Sequence, residues 1–130
     1  MENSPASTVL VVEDEVFVRI VAADMLEESG FKVLEAGDAA EALELIALHH
    51  EIAILFTDIN MPGEMDGIAL AVEVVRLHPE IRVVVTSGRQ WLGDKELPDH
   101  GRFLKKPYGR AELTAMVRDQ AADRPRHERS

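Results

Sequence analysis

Cysteine is absent from this chain of 130 residues, which excludes disulfides, thiolate metal sites and thiol nucleophiles. Long apolar runs are absent as well. No stretch approaches the roughly 20 residues that a bilayer-spanning helix needs. The segment Met1 to Ser7 is short and polar, without a basic region followed by an apolar run, so no secretory signal is read there. Positive charge is scarce: 14 Lys and Arg stand against 24 Asp and Glu, a formal net charge of −10. Such a surface repels nucleic-acid phosphates and anionic lipid, so neither direct nucleic-acid binding nor membrane attachment is expected. The cytoplasm is the default location. Neither an internal repeat nor a linker between two domains is visible.

What is present suits one globular domain, with 46% hydrophobic and 29% charged residues. Thr8 to Val12 is a β-branched apolar run that stops abruptly in acid, the pattern of a buried strand. Phe17, Ile20, Val21 and Met25 then recur as one face of a helix, with Gly30 as its stop. Lys32 to Glu35 is a weaker strand. Asp38 and Glu41 form a capping box for a helix with Leu43, Ile46 and Ala47 on one side. Ile52 to Thr57 is a third strand, ending at Asp58. Ile68, Ala71, Val72 and Val75 mark another helix, and Pro79 helps to end it. Ile81 to Thr86 is the fourth strand and Arg102 to Lys105 a short fifth. Leu113, Met116 and Val117 belong to a last helix. Strands apolar on both faces need helices on both sides. The expected fold is α/β: a doubly wound, five-stranded parallel sheet spanning residues 8–121, with disordered flanks at 1–7 and 122–130.

Parallel α/β sheets carry their functional groups just beyond the carboxyl ends of the strands. The first strand delivers Glu13, Asp14 and Glu15 there, the third Asp58, the fourth Ser87 and the fifth Lys106. If the first and third strands are neighbours, Glu13, Asp14 and Asp58 converge. Three carboxylates together raise one another's pKa, and a hard divalent cation such as magnesium relieves the repulsion. An aspartate can act as a nucleophile and form an acyl phosphate, with a metal and a lysine neutralising the transferred group. Each element alone has an ordinary explanation. An acid pair before a helix suits the macrodipole, a single Asp at a strand end is usually a turn or cap, and Ser87-Gly88 is a common turn. The case rests on all of them falling on one edge of one sheet.

From about Thr8 to about Gln120 the sequence resembles receiver domains of bacterial response regulators. The match lies in Glu13-Asp14, in Asp58 followed by Met61-Pro62 and Gly67, in Ser87-Gly88, and in Lys106-Pro107. The resemblance implies a phosphoacceptor switch rather than an enzyme, with Asp58 as phosphoacceptor. It implies Mg2+ held by Glu13, Asp14, Asp58 and the backbone carbonyl of Asn60. It also implies Ser87 and Lys106 on the phosphoryl oxygens, Phe103 as the switch aromatic and a cis Lys106–Pro107 bond. A histidine kinase or histidine phosphotransfer protein would be the donor, and a downstream protein the target of a stand-alone domain.

Thr86 competes with Ser87 for the hydroxyl role. Ser87 is preferred because a small residue follows it and Thr86 suits the strand. Met61 to Gly67 is one residue longer than the common loop and looks like receivers attached to hybrid sensor kinases. The span from Ser87 to Lys106 is short, which leaves segment 89–101 and Trp91 open. A phosphatase of the haloacid dehalogenase type is a rival, but it needs an acid where Asn60 stands. A flavodoxin-like nucleotide binder would need small residues where Glu13-Asp14-Glu15 stand. An unphosphorylated, purely structural receiver is a third alternative. His49, His50, His78, His100 and His127 show no ligand spacing and are read as surface residues.

Overall fold

The computed structural model of the protein describes residues 7–89, 97–98 and 100–122. Trp91, His127, most of segment 89–101 and nearly all of both expected flanks lie outside the described residues. The elements run β1 (Thr8–Val12), α1 (Val16–Glu28), β2 (Lys32–Ala36), α2 (Ala39–Leu48), β3 (Ile52–Asp58), α3 (Gly67–Leu77), β4 (Arg82–Ser87), β5 (Arg102–Lys105) and α4 (Arg110–Ala122). Every strand pairing is parallel, and the sheet order is β2-β1-β3-β4-β5. From β1 the chain steps outward to β2 and then returns past β1 to β3. The strand order therefore reverses between β1 and β3, which is where open α/β sheets form their crevice.

Side-chain alternation divides the core into two layers. Leu10, Leu55, Val83, Val85 and Phe103 pack toward α2 and α3, around Ala42, Ile46, Leu70 and Val74. Val9, Val11, Ile54, Phe56, Val84 and Leu104 pack toward α1 and α4, around Ala22, Leu26, Leu113 and Val117. β1, β3 and β4 are buried along their whole length, which is why they read as unbroken apolar runs.

The helix ends follow the local chemistry. Asp38 accepts from the Glu41 amide at 2.9 Å, and the Glu41 carboxylate accepts from the Gly37 amide at 2.8 Å. Beyond Ser29 the chain turns with Gly30 at φ 100°. The Phe31 amide donates to Leu26 and the Gly30 amide to Glu27, the paired bonds of a Schellman ending.

Three expected helix faces need correction. On α1 the buried residues are Ala22, Ala23 and Leu26, whereas Phe17 is 83% exposed, Val21 50% and Ile20 41%. On α2 Ala47 is exposed and Ala39 and Ala42 are buried. On α3 the buried stripe is Gly67, Leu70, Ala71 and Val74, with Val72 at the surface. On α1 two alanines meet the sheet where large residues were expected, while on α2 and α3 the inward face is rotated from the expected one and still buries Ile46, Leu70 and Val74. β4 also runs one residue further than expected and includes Ser87.

Candidate functional site

The carboxyl ends of β1 and β3 bring the acidic residues together. Glu13, Asp14 and Asp58 each offer a carboxylate oxygen, and these oxygens lie within 4.8 Å of one another. Glu13 and Asp58 are buried, with side chains 5% and 7% exposed, while Asp14 faces solvent. Lys106, arriving from the end of β5, bridges the two buried acids. Its Nζ stands 3.1 Å from Glu13 Oε1 and 3.3 Å from Asp58 Oδ1.

The backbone around these groups is held by the sheet's own hydrogen bonding, continued past the strand ends. The Glu13 amide donates to Ala36, that of Ile59 to Thr86, and that of Lys106 to Ser87. Arg19 donates to the Glu13 carbonyl at 3.0 Å and pairs with Glu35. Gly67 opens α3 directly against the backbone of Asp58. A Cβ there would collide with the Asp58 carbonyl oxygen and come within 2.8 Å of the Asp58 carbonyl carbon and Ile59 Cα. Only glycine lets the β3–α3 loop close at this point.

Electrostatics follow from burial. Desolvation pushes the Asp58 carboxyl above its ordinary range, with the Lys106 charge opposing and the Asp14 charge adding. Glu13 is raised by desolvation as well, against its hydrogen bond to Lys106. Burial works against the Lys106 ammonium, but the Glu13 hydrogen bond and the two carboxylate charges outweigh it and hold its pKa up. Tyr108 packs edge-on against Phe56, ring centroids 5.7 Å apart. Burial, with the charges of Glu13 and Asp58, pushes its phenol up to about 12.

The two hydroxyls of β4 point to opposite faces. Ser87 Oγ accepts from the Asn60 side-chain amide at 3.1 Å and from the Arg89 amide at 3.0 Å, so it sits at the loop after Asp58. Thr86 is the register partner of Asp58 and is 2% exposed. Its Oγ1 has no hydrogen-bond partner among the described residues, an arrangement that costs about 1–3 kcal/mol. Phe103 is buried in the α2/α3 layer. The Lys106–Pro107 bond is cis. Sequence reasoning missed the Asn60–Ser87 contact, the Arg19 brace and Tyr108. Only the Asn60 contact had a cue, since Asn60 already stood beside the site as a carbonyl ligand and as the residue in place of a phosphatase's second acid.

The comparisons decide the family: residues 9–118 match the response regulator receiver domain. The chain belongs to that family. This receiver domain is 37% identical over 120 residues to the sensor kinase CckA of Brucella abortus, covering 89% of the chain and 13% of the kinase. It is 33% identical over 105 residues to the chemotaxis protein CheY of Thermotoga maritima, covering 77% of the chain and 85% of that protein. A receiver protein from Sinorhizobium medicae superposes with TM-score 0.83 at 27% identity, over 92% of this chain and 98% of that one. The receiver domain of hybrid histidine kinase CckA gives 0.76 at 34% identity, over 88% and 98%. The chain spans 13% of CckA and 54% of the transcriptional regulatory protein PdtaR of Mycobacterium tuberculosis, which it also matches.

Receiver domains act as phosphoacceptor switches and bind Mg2+ at an acidic pocket. The Glu13, Asp14 and Asp58 set fits such an ion: the donors are all oxygen, they are clustered, and two are buried at a cost in charge that a hard cation offsets. Among the described residues no helix is long and apolar enough to cross a membrane.

Proposed function

We propose that this receiver domain takes a phosphoryl group on Asp58 from the phosphohistidine of a histidine kinase or phosphotransfer protein, and passes the signal to a downstream protein by a change of shape. The observation that carries the reading is the convergence of three carboxylate oxygens within 4.8 Å, one of them on Asp58, with the Lys106 ammonium 3.3 Å from Asp58 Oδ1. A carboxylate oxygen of Asp58 forms the new P–O bond as the P–N bond of phosphohistidine breaks, and the imidazole leaves. Glu13, Asp14, Asp58 and the Asn60 carbonyl are the residues to hold Mg2+. When bound, that ion supplies neutralisation of the oxygens on the transferring group. Lys106 sheds one carboxylate contact to meet a phosphoryl oxygen, and Ser87 exchanges its Asn60 contact for another. Phe103 follows the end of β4 into a new packing position.

The donor's docking face is the N-terminal half of α1. Val16, Phe17, Ile20 and Val21 leave large apolar surface in solvent. A groove of about 350 Å³ lined by Phe17, Val21, Met25, Pro107 and Tyr108 runs from that surface to Lys106 at the site. A protein that brings a histidine to Asp58 covers this face, and burying it supplies affinity. Residues 8–121 act as the switch, without turnover of a separate substrate.

Intact mass measured after incubation with Mg2+ and a small acyl-phosphate donor tests the reading. Wild type is expected to gain one phosphoryl group and Asp58→Asn none. Labelling that persists in Asp58→Asn would move the acceptor elsewhere.

A further inference from the structure

Thr86 stands beside Asp58 in the register of β3 and β4, and beside Leu104 in the register of β4 and β5. Its side chain therefore shares a sheet face with Asp58 and with Lys106, which lies two residues beyond Leu104. The rest of that face is apolar: Val11, Phe56, Val84 and Leu104 belong to the layer under α1 and α4. Valine would fill the same volume there without a polar atom. Instead a hydroxyl is buried, and Oγ1 has no hydrogen-bond partner among the described residues. Its neighbours are provided for: Thr57 donates to the Asp58 carbonyl at 2.9 Å, and Ser87 accepts two hydrogen bonds. The unpartnered group is the one next to the acidic residue on which the site is centred.

We propose that Thr86 is a second hydroxyl of the switch, unpaired in the unphosphorylated domain and donating to an oxygen of the phosphorylated Asp58 side chain once that has formed. This rests on the reading of Asp58 as phosphoacceptor. A hydroxyl is a donor, and an acyl phosphate presents only acceptor oxygens at neutral pH. The unmet hydrogen bond raises the free energy of the unphosphorylated state, and the bond made afterwards lowers that of the phosphorylated one. Both effects favour the switched form. Ser87 lies on the other sheet face at the loop side, so the two hydroxyls approach the group from different directions and neither replaces the other.

Calorimetric titration of the whole chain with beryllofluoride, a phosphoryl mimic, in the presence of Mg2+ tests this on wild type, Thr86→Val and Thr86→Ser. Expected are binding by wild type, about tenfold weaker binding by Thr86→Val, and recovery to within about threefold by Thr86→Ser, since one hydrogen bond to a charged acceptor is worth roughly a factor of ten or more. The unliganded Thr86→Val protein is expected to melt at or above the wild-type temperature, because it loses only an unmet polar group. Equal affinity of Thr86→Val and wild type would overturn the proposal and leave Thr86 an ordinary strand residue. A Thr86→Val protein less stable than wild type would show that the hydroxyl already has a partner, and would overturn it equally. Failure of wild type itself to bind would remove the phosphoacceptor reading, and this inference with it.

Discussion

Lys106 is the charge on which the acidic residues depend. It stands within 3.3 Å of both buried carboxylates, yet one ammonium cannot neutralise two acids and a third nearby. Removing one acid should therefore help the resting fold. Asp58→Asn is expected to raise stability by on the order of 1 kcal/mol in metal-free buffer at neutral pH, the scale of a like-charge contact at this separation in a wet site. Chemical denaturation of the two proteins in chelator measures it. The sign with pH follows from the raised carboxyls of Glu13 and Asp58. Below the unfolded-chain pKa both states are protonated and no penalty exists. It grows as pH rises from the unfolded-chain pKa to the folded-state pKa and levels off above the latter. The advantage of Asp58→Asn should thus shrink on acidification, and an advantage that grew would contradict the burial argument. Gly67 is the other residue with no substitute. Its Cβ would occupy the space of the Asp58 carbonyl, so Gly67→Ala is expected to cost about 1–3 kcal/mol as overpacking. It should also lower phosphorylation by a small donor, because the displaced atoms belong to the backbone of Asp58, the proposed phosphoacceptor. Unchanged melting and unchanged labelling would show that the loop yields freely.

Among the elements, α1 has two faces with different tasks. Its small residues Ala22 and Ala23 sit on the sheet, and its large apolar residues at the N-terminal half face outward beside the site. Phe17→Ala is therefore expected to leave stability within about 0.5 kcal/mol, as for a surface change. Labelling by a small phosphodonor should also be unchanged, while transfer from a phosphohistidine protein slows at least tenfold. Parallel rate measurements with the two donors separate these effects, and equal slowing with both would place Phe17 in the chemistry instead. α4 serves as a tie. Gln120 is 2% exposed and its amide donates to the Val83 carbonyl at 2.9 Å and the His100 carbonyl at 2.6 Å. It joins β4 to the entry of β5 from the far end of the sheet. Gln120→Leu strands two acceptors and should cost about 1–3 kcal/mol, read as a lower denaturation midpoint. No loss would mean that the carbonyls find other partners.

At the scale of the whole molecule, the switch is a coupling between one crevice and the faces around it. β4 and β5 carry Ser87 and Lys106 at their ends, and Phe103 lies on β5 opposite Val85, so in the proposed switch movement at the site would pass through packed strands. Converting such a domain from nearly all off to nearly all on requires a differential of roughly 5.5 kcal/mol, which a few charge-assisted hydrogen bonds supply. Held as proposed by Glu13, Asp14 and Asp58, Mg2+ would bind the folded form alone, because the unfolded chain does not assemble the three carboxylates. At a hundred times its dissociation constant it should add about 2.7 kcal/mol to stability. That increment is expected to vanish in Asp14→Asn, and to shrink as protons compete at acid pH. Thermal melts with and without the ion check both, and an undiminished increment in Asp14→Asn would place the cation elsewhere.

The strands and the residues at the sheet edge were legible in the chain because each rests on a local signal. β1, β3 and β4 are buried on both faces, so their apolar runs are unbroken and end sharply, and the residues after each end are by that fact at the sheet edge. Glu13, Asp14, Asp58, Ser87 and Lys106 were located in this way. Ser87 was preferred over Thr86 for the small residue after it, whereas the register shows only that the two hydroxyls lie on opposite faces of the sheet. Tertiary structure alone decided which helix faces are inward, because these helices carry apolar residues on more than one face and periodicity does not say which of them meets the sheet. Phe17 stands on one that faces solvent. The ion pairs of Lys106, the Asn60–Ser87 contact and the unmet hydroxyl of Thr86 were likewise invisible beforehand. Each depends on side chains that are distant in sequence, and their distances are fixed only when β1, β3, β4 and β5 lie in register.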